Sequence, residues 1–156
     1  MTSKQDFTDE EWARIRRAPL VAGVAISLAD PGGPIELAKE TMATLRSATL
    51  PPSQEELLAS VALDVQAMTQ HKQNPLGDFK PRGGPQVLEE LKAVNQLVTA
   101  KATPEEVEAF RGCLLAAAQA AADAGKEGGF LGFGAERVSA GERQMLDQVR
   151  AALGMG

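Results

Sequence analysis

The chain has 156 residues, of which 44% are hydrophobic and 24% charged, and carries a formal net charge of −5 at neutral pH. It is long enough for one domain with its own apolar core, and its composition sits near globular averages rather than those of a disordered chain. The acidic balance speaks against nucleic-acid binding, since the densest basic cluster is Arg14, Arg16 and Arg17, flanked by acids.

Helix-start signals dominate the chain. The capping-box pattern, Ser or Thr followed three positions later by Glu, occurs at Thr8/Glu11, Ser53/Glu56, Thr103/Glu106 and Ser139/Glu142. In each, the hydroxyl accepts from an otherwise unpaired N–H while the Glu side chain reaches back to the N–H of the cap residue. Pro19, Pro34, Pro85 and Pro104 agree, because a first helical turn tolerates a missing N–H.

Taken in order, the spacing predicts a first helix over 8–17, with Trp12 and Ile15 inward. Pro19 stops it or kinks it into a second over 19–29, carrying Leu20, Val21, Val24 and Leu28. The third covers 34–48 (Ile35, Ala38, Met42, Leu45), and the fourth 53–71 (Leu57, Leu58, Val61, Val65, Met68). Residues 73–84, with Asn74-Pro75, Leu76-Gly77 and Gly83-Gly84, read as a loop between halves. A fifth helix follows over 85–100, a sixth over 103–124 and a seventh over 139–153, with Gly154 as its C-cap. No period-2 alternation marks a strand. The expected fold is all-α, a single-domain bundle of about seven helices spanning 1–156. It also has an internal echo: Thr8 to Asp30 aligns without gaps to Thr103 to Gly125 at Thr, two Glu, Arg, Leu and three Ala.

The sixth helix carries an alanine run from Ala116 to Ala122 that lets another helix approach closely, either at the centre of its own bundle or between subunits. After it comes KEGGFLGFGAERVSAGE, a glycine-rich loop over 125–138. There Phe130, Leu131 and Phe133 are interleaved with glycines and need something apolar to cover them. They are the expected protein-contact residues, with Phe130 turned inward toward Leu114 and Leu146 and Phe133 more accessible. The glycine spacing does not fit a phosphate loop, and no strand precedes it.

Other side chains offer little chemistry. Acids gather at two inter-helix turns: Asp30, Glu36 and Glu40 at the first, and Asp123, Glu127, Glu136 and Glu142 at the second. Oxygen clusters of this kind suit Ca²⁺ or Mg²⁺, but no calcium-loop pattern is present, and acids at helix starts also oppose the helix dipole. His71 is the single histidine, so a His-based metal set cannot form. Cys113, the single cysteine, excludes an internal disulfide and reads as a small apolar filler. Neither a nucleophile elbow nor a zinc-protease helix motif occurs, so no catalytic residue or cofactor is expected. With no apolar signal core in MTSKQDFTDEEW and no stretch approaching a membrane span, the expected compartment is the cytoplasm.

The C-terminal third, through EGGFLGFG followed by VS-x-x-E, resembles a bacterial family of small uncharacterised proteins. FTDEEW, Ala18-Pro19 and the ADP-x-G-P turn extend that likeness more loosely into the first 100 residues. The resemblance implies an all-α fold and no mechanism. Ala29-Asp30, and Ala122-Asp123 with Ser139/Glu142, are also similar, more distantly, to the TerB-like helical domains of tellurite-resistance systems. Pro31 and Ala124 stand where that pattern has glycine. That likeness implies a divalent cation at Asp30 and Asp123. The leading expectation is a non-enzymatic cytoplasmic protein acting through contact with a protein partner or a second copy of itself. The alternative is a TerB-like acidic domain that binds Ca²⁺ or Mg²⁺.

Overall fold

Six α-helices make up the computed structural model, which describes residues 4–29, 34–49, 56–77, 79–126 and 140–155. They are α1 (Asp9–Ala29), α2 (Pro34–Thr49), α3 (Glu56–Gln70), α4 (Gly84–Lys101), α5 (Pro104–Lys126) and α6 (Ala140–Ala152), preceded by a 3-10 turn at Lys4–Asp6. Among the described residues there is no strand. The fold is an all-α bundle.

The count is six rather than seven because Pro19 does not end the first helix. It lies inside α1, where it removes the N–H that would bond to the carbonyl of Ile15. That costs about 3 kcal/mol in an isolated helix. Here the same stretch is inaccessible to solvent, with Ala18, Pro19, Leu20, Val21 and Ala22 all buried. Apolar burial at about 25 cal/mol per Å² over several side chains outweighs one lost hydrogen bond.

Local signals do set the helix starts. The N–H of Glu11 donates to Thr8 Oγ1 (3.1 Å) while the N–H of Thr8 donates to Glu11 Oε1 (2.9 Å). The same reciprocal pair forms at Thr103 and Glu106, at 3.2 Å each way. Ser53 and Ser139 lie outside the described residues. Pro34 and Pro104 open α2 and α5, and Pro85 sits in the first turn of α4. At the other end, Gly154 (φ 73°) closes α6, and the N–H of Met155 donates back to Arg150 O (2.9 Å).

α5 is the central helix, packed most extensively against α2 and α1. Its Ala117, Ala118, Ala121 and Ala122 are buried, so the small side chains bring its own neighbours close. Ala116 and Ala120 on the other side of the run stay partly exposed. Phe110 and Leu114 of α5 join Trp12, Ile15 and Ile26 of α1, Leu57 and Val61 of α3, Leu91 of α4 and Val149 of α6 in one continuous core.

Candidate functional site

Among the described residues, a concave and mostly apolar gap in the bundle lies between α1 and α2. A cleft of about 320 Å³ opens there, with Leu20, Val24 and Leu28 of α1 on one side and Thr41, Thr44 and Leu45 of α2 on the other. Asn74, Pro75 and Leu76 close its end. Its α1 wall follows from helical periodicity, since positions 20, 24 and 28, and likewise 23 and 27, share one face.

Two features hold the walls. Gly23 lets the helices approach, because a Cβ built there would stand 2.6 Å from Thr44 Cγ2. Ser27 donates a short hydrogen bond to Glu40 Oε2, and Thr44 Oγ1 donates to Glu40 O at 2.7 Å. Glu40, only 2% exposed, lines the cleft and is its one ionisable side chain among the described residues.

The third wall depends on the turn after α3. Lys72 takes φ 57°, and the N–H of Gln73 donates to Met68 O (2.8 Å), which stops the helix sharply. The N–H of Leu76 then donates to Asn74 Oδ1 (3.0 Å), and that of Gly77 (φ 60°) to Asn74 O (2.9 Å). Both bonds turn Leu76 back onto the bundle. Asparagine and glycine at these positions are the chemical reason the turn forms.

The same segment is pinned further on. The Arg17 guanidinium lies over the Phe79 ring, 5.1 Å from its centroid. Arg17 Nη2 also reaches Glu90 Oε2 (2.9 Å), while Arg14 grips both Glu90 oxygens at 2.6 and 3.3 Å. Burial pushes the Glu90 carboxyl up, but the two arginines outweigh it and hold the group below its ordinary value. Two of the three arginines of the basic cluster thus serve an internal carboxylate.

Of the residues singled out in the sequence, Asp30, Phe130, Leu131 and Phe133 lie outside the described residues. Asp123 is exposed and accepts from Gln119 Nε2 (3.0 Å). Among the described residues no three His, Cys, Asp or Glu side chains come together as a metal site. His71 is exposed just beyond α3, and Cys113 is buried in α5, where burial pushes its thiol up to about 11. A thiol so protonated at neutral pH is no nucleophile. No described helix is long and apolar enough to cross a membrane.

Sequence reasoning noticed Glu40 only as one of several acids, and it passed over Gly23, Ser27 and Leu76 as site residues. A lone glycine within an apolar helix was the available signal, since it marks close helix approach. Comparison with family models, with curated proteins and with solved structures finds no match to this chain.

Proposed function

We propose that the protein acts without catalysis, by contact with a partner protein, and that the α1–α2 cleft is the seat for an apolar anchor from that partner. What supports this is the cleft itself, a concave and mostly apolar surface on a bundle whose other large side chains are mainly packed. Its rim carries Leu28, which is 36% exposed. Concave apolar sites with one or two fixed polar groups are the usual form of a binding pocket, and buried anchors supply most of the energy at protein interfaces. The apolar glycine loop with Phe130, Leu131 and Phe133 supports the same reading from sequence, as a second contact element.

The test is Val24→Phe, which projects a ring from the α1 wall into the cleft. Sedimentation velocity at micromolar concentration reports self-association, and affinity purification followed by reconstitution with purified candidates reports a hetero-partner. A complex formed by the parent and lost in Val24→Phe, with an unchanged circular dichroism spectrum, supports the reading. A complex indifferent to Val24→Phe removes the cleft from it.

A further inference from the structure

We infer that the outward face of α2 is a contact surface distinct from the cleft, centred on Met42 between Lys39 and Arg46, and that it takes an acidic amphipathic helix from a partner protein.

The way α2 is set into the bundle carries the argument. Its inward side is polar or small: Glu40, Thr44 and Ala48, one helical turn apart, are 2%, 4% and 1% exposed. Its outward side carries Met42, which is 60% exposed although a methionine gains by leaving water. A helix that buries a carboxylate and a hydroxyl while exposing its methionine reverses the pattern that core packing alone produces. Lys39 and Arg46 are exposed too, and at three positions before Met42 and four after it they lie beside it on the helix surface. Among the described residues neither is in an ion pair, whereas Lys4, Arg14, Arg17 and Lys101 all pair with carboxylates of this chain. By helical register this face lies on the far side of α2 from Glu40 and Thr44, which line the cleft.

Charge complementarity names the occupant. Two unpaired cations astride an apolar side chain match a helix that carries Asp or Glu on either side of an apolar anchor. Methionine adapts its shape to such an anchor, and arginine grips a carboxylate through paired hydrogen bonds. Both residue types are enriched at protein interfaces. An anionic bilayer or a nucleic acid matches less well, because an extended anionic surface would also meet the rest of a chain of net charge −5. A single helix meets α2 alone, and there the local pair governs, since charges more than about 8 Å away are screened at physiological salt. Length agrees: the 16 residues of α2 rise about 24 Å, enough for a partner helix to lie along them.

The probes are two synthetic helical peptides of about four turns, alike in their leucine stripe, with glutamates flanking it in one and lysines in the other. Each is titrated onto the full chain and followed by the methyl resonance of Met42, with vesicles of phosphatidylglycerol and phosphatidylcholine as a third titrant. The glutamate peptide should shift that resonance and bind at least about tenfold more tightly than the lysine peptide. Lys39→Glu combined with Arg46→Glu should reverse the order, and Val24→Phe should leave it unchanged, which separates this face from the cleft. Should the double variant fail to fold, the ranking on the parent protein still decides. Equal binding of the two peptides, or a Met42 resonance that neither moves, overturns the inference and leaves the cleft reading standing. Binding to the vesicles without binding to the glutamate peptide overturns it in favour of a lipid surface.

Discussion

Gly23 on α1 and Thr44 on α2 meet so closely that hydrogen is the only substituent that fits between them: a Cβ on Gly23 would lie 2.6 Å from Thr44 Cγ2. Thr44 cannot swing aside freely, being 4% exposed and bonded through Oγ1 to the carbonyl of Glu40. In a solvent-facing helix, Gly→Ala gains about 1 kcal/mol. Here overpacking costs about 1–3 kcal/mol and dominates. Gly23→Ala should therefore lower the urea midpoint, and Gly23→Ala combined with Thr44→Ala should show favourable coupling in a double-mutant cycle.

Acid should loosen the attachment of α1 to α4. The Glu90 carboxyl sits below its ordinary value of 4.5, because the hydrogen bonds from Arg14 and Arg17 outweigh the upward push of burial. A depressed carboxyl contributes stability that is present above pH 4.5 and lost as pH falls below that value. Glu90→Gln should cost roughly 1.5–3 kcal/mol near pH 7, the range for hydrogen bonds to charged groups. Its melting temperature should also vary less between pH 6 and pH 3 than that of the parent.

Lys72 occupies the left-handed region at φ 57°, where an L side chain costs about 1–2 kcal/mol and glycine costs little. Lys72→Gly should raise stability by about 1 kcal/mol after the added freedom of the unfolded chain is allowed for. A denaturation midpoint at or below that of the parent would contradict this account of the α3 terminus.

Cys113 should be inert in the native protein. Its thiol is pushed from 9.0 to about 11 by burial, so the native state keeps a proton that the unfolded chain releases. The stability tied to this group is therefore present below pH 9 and falls as pH rises from about 9 toward 11. A thiol reagent at pH 8 should modify Cys113 only at the rate of global opening, and stoichiometrically in denaturant.

Contact and cation readings part company in a melting experiment. A cation bound only to the native state raises the melting temperature by mass action. If the chain works by contact alone, millimolar Ca²⁺ or Mg²⁺ should leave the curve unmoved. A rise that disappears in the Asp30→Asn, Asp123→Asn double variant would favour the TerB-like reading instead.

What the sequence by itself determined is whatever depends on neighbours a few positions away. Thr8 with Glu11 and Thr103 with Glu106 form reciprocal caps because all the partners lie within one helical turn. Gly154 closes α6 for an equally local reason, its freedom at positive φ. The all-α class follows from the same short-range periodicity, whereas Met42, read onto the apolar stripe of the 34–48 helix, is 60% exposed.

Only the tertiary structure decided how those helices meet. Pro19 reads locally as a break, yet α1 runs through it because the surrounding side chains are buried on all sides. Arg14 and Glu90 stand 76 positions apart, so no local pattern pairs them. Leu20, Glu40 and Leu76 become one cleft through three separate segments. Burial and charge pairing act through space, and a chain folded back on itself brings together residues whose spacing in sequence carries no trace of the contact.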